Sequence, residues 1–253
     1  MEASGEADEF GPVRTQMQLE FINHLSHDLR TPLTAIKASI GVVLANEPPG
    51  ITEPLHRMLR NVDASADQMN HMVVNLVELA LVVTGGLQIR PIKCDLVDVA
   101  RRAAEGVGAQ FDRRRQRLEV TTPKSVEAEV DASRIERVLW NLLENAGKFG
   151  QEGGTAHLQL DQKGNEAVFT VEDDGPGMAP QFQKLLTGGS THPGQDAQSE
   201  RWPGLGLVTS RFIVEALGGH ISCACSTGGG SLVSLAVPIR APLGRPVVHH
   251  FES

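Results

Sequence analysis

The chain has 253 residues, of which 40% are hydrophobic, so it is long enough for one large domain or two small ones with buried cores. Its net charge of −8 argues against a general nucleic-acid-binding protein, and its three irregularly spaced cysteines fit a reducing, cytoplasmic compartment. The longest apolar run, around residues 73–83, is broken by Asn75 and Glu78, and the start "MEASGEADEF" lacks the pattern of a signal peptide, so we expect no membrane segment.

Apolar residues recur every seventh position in two N-terminal segments. They are Ile22, Leu29, Ile36 and Val43 in the first segment, and Leu55, Val62, Met69, Leu76 and Val83 in the second. Such spacing is typical of helices that pack along their length, and "NEPPGITEP" between the segments contains residues that end one helix and start the next. The sequence therefore predicts a helical hairpin that ends at "TGG". Because two helices alone bury little surface, we expect a homodimer in which two copies form a four-helix bundle.

From about Lys93 the heptads stop, and shorter helix and strand patterns alternate around a glycine-rich loop at 175–204. The predicted helices are "DLVDVARRAAEGVGAQF", capped by Asp95, "ASRIERVLWNLLENAGKFG" and "LGLVTSRFIVEALGG". The predicted strands are "RLEVTT", "VEAEVD", both arms of "AHLQLDQKGNEAVFTVEDD", "HISCACS" and "SLVSLAVPI". These units predict an α/β sandwich with a mixed, largely antiparallel sheet. The basic run from Arg113 to Arg117 is expected to be a solvated helix end.

The stretch "HLSHDLRTPL" places a proline inside the first helix. Pro32 removes a hydrogen bond to the carbonyl of Asp28, so the helix should bend close to His27, whose heptad position turns it toward solvent. A neutral imidazole is a competent nucleophile, and the adjacent carboxylate of Asp28 can accept its proton. The alternative is that His27 is an ordinary exposed histidine beside a charged residue. The dipeptide His27-Asp28, taken alone, favours this alternative.

Three polar residues of "NLLENAGKF", Asn141, Asn145 and Lys148, share one helical face, because steps of three and four residues return to the same side. Amide oxygens suit magnesium and an ammonium group suits phosphate, so this face is a candidate metal-nucleotide site. The alternative is a polar helix surface.

Two turns that contain glycine follow this helix. In "VEDDGPGM", Gly175 and Gly177 allow the backbone to approach a ligand closely, and Asp173 at the strand end is placed to accept a hydrogen bond from an amine such as that of adenine. In "GLGL", Gly204 and Gly206 precede a helix whose N-terminus suits a phosphate chain. Each turn alone is weak evidence, because Asp-Gly turns and packing glycines are common.

The segment "FINHLSHDLRTPLTAI" resembles the H box of sensor histidine kinases, and "NLLENAGKF" resembles their N box. The order of "NLLENAGKF", "DDGPGM", "GLGL" and "GGGSLVSLAVP" is similar to that in the ATP-binding domain shared by histidine kinases, gyrase-type ATPases, Hsp90 and MutL. The resemblance covers about residues 14–239. It implies that His27 is the phosphorylated histidine, that Asp28 is its base, that Thr31 positions water in the phosphatase reaction, and that Asn145 is the magnesium ligand.

The resemblance implies a two-domain kinase that uses ATP and Mg²⁺. Residues 14–90 would be the dimerisation and phosphoacceptor domain and residues 91–240 the catalytic ATP-binding domain, with tails at 1–13 and 241–253. The phosphoryl group would pass from ATP to His27 and then to an aspartate of a response-regulator receiver domain. The chain would be cytoplasmic, either by itself or as part of a larger sensor. The alternatives are a pseudokinase that acts as a dimeric scaffold, and a gyrase-type or Hsp90-type ATPase, which leaves "HLSHDLRTPL" unexplained.

The sequence departs from the family pattern in two places. Where the family often has a phenylalanine-rich box, "QFQKLLTGG" retains only Phe182, and "RWPGLGL" has Trp202 and Pro203 where the family commonly has a glycine and a small residue. By the resemblance, both places lie at the ends of a lid over the nucleotide. We therefore expect this chain to differ from other members of the family in the motion of the lid and in the catalytic rate.

Overall fold

The computed structural model describes residues 29, 31–44, 52–84, 87–180, 183, 186, 205–226 and 228–240, and the chain divides into two units after Gly86. The first unit contains helices α1 (31–44) and α2 (Glu53–Val83). The second contains β1 (Ile92–Asp95), α3 (Leu96–Arg113), β2 (Arg117–Thr121), β3 (Glu127–Val130), α4 (Ala132–Phe149), β4 (Thr155–Lys163), β5 (Glu166–Glu172), α5 (Leu205–Ala216), β6 (His220–Cys225) and β7 (Ser231–Pro238). None of the helices within the described ranges combines the length and the apolar content that a bilayer crossing requires.

The predicted helical hairpin is confirmed. Its helices also carry a second apolar heptad position, four residues after the one named above, and the two positions differ in burial. Leu33 of α1 packs with Ala66 and Val73 of α2, and all three are less than 9% exposed. The other heptad position of α2 is occupied by residues that stay 41–47% exposed, namely Leu55, Val62, Met69 and Leu76. The described part of the chain therefore leaves an apolar stripe along α2 largely uncovered.

The second unit is the predicted α/β sandwich. Its five-stranded sheet has the order β2-β4-β5-β7-β6, in which β2 and β4 are parallel and the other neighbours are antiparallel. Buried residues of β4, β5 and β7 form one core with those of α3, α4 and α5, and Leu139 of α4 and Phe169 of β5 are fully buried within it. This packing brings α4, which carries "NLLENAGKF", to the end of β5, where "DDGPGM" begins.

Two features differ from the expectation from sequence. The strand β1 pairs with β3 in a separate two-stranded sheet, although its short, half-polar sequence carries no clear strand pattern. The expectation of a solvated helix end holds for Arg113, which is exposed, and is wrong for Arg114. The guanidinium of Arg114 is half-buried because it donates hydrogen bonds to the carbonyl oxygens of Gly147 at 2.7 Å, of Gly150 at 3.0 Å and of Lys148.

Asp95 caps α3, as predicted. Its Oδ1 accepts hydrogen bonds from the backbone N–H groups of Val97 at 2.9 Å and of Val126 at 3.0 Å. Burial acts to raise the pKa of this carboxyl, but hydrogen bonds from these two backbone groups outweigh that effect, and the pKa is lowered. We expect Asp95→Ala to reduce the free energy of unfolding in urea by about 1–2 kcal/mol at neutral pH, as lost helix caps do.

The effect of Asp95→Ala should depend on pH in a defined direction. Because the native pKa is lowered, the stabilisation by the carboxylate is complete above the unfolded-state pKa and is lost as the pH falls through the native pKa. The variant and the wild type should therefore converge at acid pH. Asp95→Asn, which keeps the acceptor oxygen, is the control and should lose less stability. An alanine variant as stable as the wild type at neutral pH would refute the capping role.

Candidate functional site

A cavity lies between α4, the end of β5, the turn after β5, α5 and β7. Its polar lining groups come from Asn145, Asp173 and Ser231. The other lining residues are apolar or glycine, namely Leu142, Ala146, Phe149, Val171, Pro176, Gly177, Met178, Ala179, Leu207 and Val233. An apolar cavity with a few placed polar groups is the usual composition of a small-molecule site.

Asp173 follows β5 directly and supplies the carboxylate of the cavity. Its Oδ1 accepts hydrogen bonds from the backbone N–H groups of Gly175 at 2.9 Å and of Ser231 at 3.3 Å. Burial raises the pKa of this carboxyl, and the hydrogen bonds from Gly175 and Ser231 oppose the rise only in part. Because both backbone bonds go to Oδ1, Oδ2 takes part in neither of them.

Asp174, the next residue, has a different position. Its Oδ1 accepts a hydrogen bond from the backbone N–H of Gln151 at 3.0 Å, and its Oδ2 accepts one from that of Thr155 at 2.9 Å. The side-chain amide of Gln151 also donates to the carbonyl oxygen of Asp174 at 2.9 Å. Asp174 therefore ties the loop after α4 to the turn after β5, and it does not line the cavity.

Gly175 and Gly177 are both required by the shape of this turn. A side chain at Gly175 would meet the carbonyl oxygen of Phe149 at 2.6 Å. Gly177 has a φ of 79°, which lies in the left-handed region that favours glycine, and it lines the cavity. Gly175 thus allows the turn to pack against the end of α4, whereas Gly177 forms part of the cavity wall.

Asn145 and Lys148 of α4 differ in their relation to the cavity. Asn145 is half-buried and lines it. Lys148 is exposed and does not line it, but its Nζ lies 5.2 Å from the centroid of the Phe149 ring, which does. The ammonium group of Lys148 is therefore beside the residue that forms one wall of the cavity.

Asn141 connects α4 to α5. It is 2% exposed, and its Nδ2 donates to the carbonyl oxygen of Gly206 at 3.4 Å and to the hydroxyl of Ser210 at 3.3 Å. The alternative of a polar helix surface is therefore wrong for Asn141. The last helix begins at Leu205, as the segment "LGLVTSRFIVEALGG" predicts, so Gly206 is the second residue of α5 and lies within its first turn. Gly204 lies outside the described residues.

The amide oxygens of α4 fit a hard cation. Oδ1 of Asn141 is buried and accepts no hydrogen bond from any residue that the structure describes. A buried acceptor of this kind calls for a partner such as an ion or a water molecule. Asn145 lies one turn further along the helix and lines the cavity. Magnesium prefers oxygen ligands, and in nucleotide sites the protein supplies few of them, because substrate phosphates and water complete the set. Asn141 and Asn145 thus match what a magnesium-nucleotide complex requires.

The predicted phosphoacceptor segment is described only in part. Thr31 is exposed and lies in the first turn of the described helix α1. Outside the described residues lie His27, Asp28, Phe182, Trp202 and Pro203. The roles given to His27 and Asp28 therefore remain predictions from sequence.

Sequence reasoning missed the apolar wall of the cavity. Leu142, Ala146 and Phe149 follow one face of α4 at steps of four and three residues, so helical periodicity is a signal that assigns them to a shared face. Val171 precedes Asp173 by two residues in an alternating strand, which is also a usable signal. Met178 carries no such signal, because it lies in an irregular turn.

Two family models match this chain. The model described as "Histidine kinase-, DNA gyrase B-, and HSP90-like ATPase" matches residues 130–241, and the model described as "His Kinase A (phospho-acceptor) domain" matches residues 17–83. Together they cover more than half of the chain. The second unit is thus an ATPase domain of the class shared by histidine kinases, DNA gyrase B and Hsp90, and a phosphoacceptor domain precedes it.

Similar proteins include the sensor histidine kinase TmoS of Ectopseudomonas mendocina, which is 30% identical over 92% of this chain and 24% of its own length. BaeS of Escherichia coli K12, a signal transduction histidine-protein kinase, is 27% identical over 92% of this chain and 49% of its own length. The chain belongs to the sensor histidine kinases of two-component systems. It spans a quarter to a half of the length of these curated relatives. Because these relatives are named as kinases, the pseudokinase alternative is not supported.

Solved structures share the fold. The histidine kinase AdeS of Acinetobacter baumannii superposes with a TM-score of 0.57 at 23% identity, over 84% of this chain and 98% of that chain. Full-length ShkA, solved in complex with AMPPNP, gives a TM-score of 0.62 at 22% identity, over 90% of this chain and 47% of that chain.

Proposed function

We propose that this chain is a kinase core that phosphorylates itself on His27 from ATP and then transfers the phosphoryl group to an aspartate of a response regulator. The observation that carries the proposal is the cavity with Asp173 in its wall, in a chain that also matches the phosphoacceptor family model over residues 17–83. A nucleotide site and a phosphoacceptor segment in one protein favour transfer to a histidine over simple hydrolysis of ATP.

Asp173 would recognise the adenine base. Its Oδ2, which makes neither of the two backbone bonds, would accept a hydrogen bond from the exocyclic amine. The side chains of Leu142, Phe149 and Met178 would enclose the faces of the base, since they line the same cavity. Gly175 and Gly177 would support the base indirectly by fixing the turn that follows Asp173.

The phosphates would lie near Asn145 and Lys148 of α4 and near the start of α5. Lys148 would contribute its ammonium group, while Gly204 and Gly206 would bring the N-terminus of α5 close to the phosphate chain. Asn145, with Asn141 behind it, would hold magnesium through amide oxygens. When bound, magnesium offsets the negative charge on the phosphate oxygens.

The transfer step needs a nucleophile and a proton acceptor. One ring nitrogen of His27 would attack the γ-phosphorus. The bond between the γ-phosphorus and the oxygen that leaves with ADP would break at the same time. The carboxylate of Asp28 would accept the proton from the other ring nitrogen, which keeps the imidazole neutral as it attacks. The phosphohistidine would then be the donor for an aspartate carboxylate of the receiver domain.

The uncovered stripe of α2 supports a homodimer. Within one chain, Ala66 and Val73 are buried by the hairpin, while Val62 and Met69 of the same helix stay nearly half exposed. A second copy would cover these residues and remove their apolar surface from water. We place this dimer in the cytoplasm, where ATP is available. The domain limits 14–90 and 91–240 also remain proposals.

The proposal is tested by incubating the full chain with ATP labelled on its γ-phosphate. We expect stable label on the protein that acid removes and base does not, because a phosphorus–nitrogen bond has that lability. Bound nucleotide without label would make the chain a pseudokinase. Release of inorganic phosphate without label on the protein would make it an ATPase of the gyrase or Hsp90 type.

Thr31→Ala should separate the two activities proposed for this segment. Thr31 lies four residues after His27, a spacing that on a continuous helix would put the two side chains on one face, one turn apart. If its hydroxyl orients the water that attacks the aspartyl phosphate of the partner, the variant should dephosphorylate the regulator about tenfold more slowly, a loss typical of one positioned group. Phosphorylation of His27, which does not use this hydroxyl, should be within about twofold of the wild-type rate.

Both rates should be measured on one preparation with a cognate receiver domain. Thr31→Ser, which keeps the hydroxyl, is the control and should retain most of the phosphatase rate. The competing role for Thr31 is support of the bend at Pro32 by a hydrogen bond to the backbone. Equal losses in both activities would favour that role and exclude a specific phosphatase function.

A further inference from the structure

Arg114 joins two elements of the ATPase domain at a place outside the cavity. It is the residue that follows α3, and its guanidinium donates hydrogen bonds to the carbonyl oxygens of Gly147 at 2.7 Å, of Lys148 and of Gly150 at 3.0 Å. The last carbonyl groups of a helix have no partner within the helix. A single cation therefore satisfies the end of α4 and offsets the negative end of its dipole.

The loop that follows α4 is held from both sides. On one side, the carbonyl oxygen of Arg114 accepts a hydrogen bond from the backbone N–H of Gly153 at 3.0 Å, and the amide of Gln116 donates to the carbonyl oxygen of Gln151 at 2.9 Å. On the other side, Asp174 bonds Gln151 through its carboxylate and its carbonyl group. The end of α4 is thus attached both to the turn after α3 and to the turn that carries Asp173.

These contacts determine where Lys148 is placed. The carbonyl groups of Gly147 and Lys148 belong to the two peptide units on either side of the Lys148 Cα atom, and Arg114 binds both. The Lys148 ammonium then lies 5.2 Å from the centroid of the Phe149 ring, at the cavity wall. A lysine side chain is a flexible point charge, so its backbone position limits what it can reach.

We propose that Arg114 is a positioning residue for the phosphate groups of the nucleotide, and that it acts by fixing the backbone on both sides of Lys148. The inference rests on the proposed function, in which the cavity binds ATP and Lys148 meets its phosphates. Arg114 does not line the cavity. Its effect should therefore appear in the binding of the phosphates and be absent from the binding of the base.

A double-mutant cycle on the full chain tests this inference. The affinities for MgATP and for adenosine would be measured by nuclear magnetic resonance titration for the wild type, Arg114→Ala, Lys148→Ala and the double variant. We expect each single variant to weaken MgATP binding about tenfold, the scale of one charge-assisted contact, and to change adenosine binding by less than about twofold. The double variant should bind MgATP no more than about twofold worse than Lys148→Ala, because Arg114 acts through Lys148.

Two further variants serve as controls. Arg113→Ala removes an adjacent, exposed arginine and should leave both affinities unchanged, which excludes a general effect of charge. Asp95→Ala destabilises α3 away from the cavity and should also leave both affinities unchanged, which excludes a general effect of stability. If Arg114→Ala does not fold, Arg114→Lys takes its place. Its single ammonium group cannot bond all three carbonyls, so we expect an intermediate loss of MgATP affinity and none for adenosine.

Several outcomes would overturn the inference while leaving the proposed function intact. Losses in Arg114→Ala and Lys148→Ala that add in the double variant would mean that Arg114 acts independently of Lys148. Equal losses for MgATP and adenosine would make Arg114 a structural cap only, and an unchanged affinity in Lys148→Ala would remove the group through which Arg114 is proposed to act. In contrast, a wild-type chain that binds neither ligand would contradict the proposed function itself.

Discussion

Replacing His27 by glutamine should abolish acid-labile phosphorylation of the chain, while dimerisation and nucleotide binding remain unchanged. Glutamine is polar and similar in size, but its amide nitrogen is not a nucleophile, so the variant lacks only the attacking group. The heptad pattern predicts that His27 faces away from the apolar seam, and the residue is distant in sequence from the cavity residues, which lie between Leu142 and Val233. Labelling with γ-phosphate-labelled ATP should give a signal at background, a loss of at least about a thousandfold for removal of a nucleophile.

The neighbouring histidine provides a matched control. His24 lies three residues earlier, and His24→Gln should retain most of the label, because the resemblance to the H box assigns the acceptor role to His27. Dimerisation, measured by light scattering, and nucleotide affinity should equal those of the wild type in both variants. Label on His27→Gln at the wild-type level, on His24 or His71 for example, would show that the acceptor is assigned wrongly.

The fold was predictable wherever local patterns decide it. Heptad spacing predicts α2, and the polar-apolar alternation of Ala167, Phe169 and Val171 predicts β5. The strand β1 was not predictable, because its four residues become a strand only by pairing with β3, more than thirty residues later in the chain. Periodicity carries no information about partners that are distant in sequence.

The candidate site, like the fold, is predictable from the sequence only where local patterns decide it. Continuing the alternation of β5 through Val171 places Asp173 on the buried side and Asp174 on the other, and the structure separates the two carboxylates in that way. A basic run predicts a solvated Arg114, because such runs are usually solvated, whereas its contacts in the structure depend on the approach of α3 to the end of α4. Spacing placed Asn141 and Asn145 on one face, but the packing of α5 decides that Asn141 is buried.

Asp173→Asn should weaken ATP binding by about a hundredfold, since it replaces a charged acceptor by an amide that can present a donor to the amine of adenine. The fold should be retained, because an asparagine Oδ1 can still accept the hydrogen bonds from Gly175 and Ser231. Burial raises the pKa of the native carboxyl, so its ionisation lowers stability as the pH rises through that pKa. The neutral variant should therefore unfold at a temperature no lower than that of the wild type at neutral pH.

Nucleotide selectivity gives the sharper measurement for Asp173. Guanine presents a carbonyl oxygen where adenine presents its amine, so an asparagine donor should lower the preference for ATP over GTP in calorimetric titrations. In the wild type, ATP affinity should fall as the pH drops toward the raised pKa, because the protonated carboxyl is a poorer acceptor, and the asparagine variant should not show this dependence. Asp174→Asn is the matched control: it changes a carboxylate that bonds Gln151 and Thr155 outside the cavity, and should leave selectivity unchanged. If Asp173→Asn and Asp174→Asn alter ATP affinity and selectivity equally, the carboxylate of Asp173 does not contact the base.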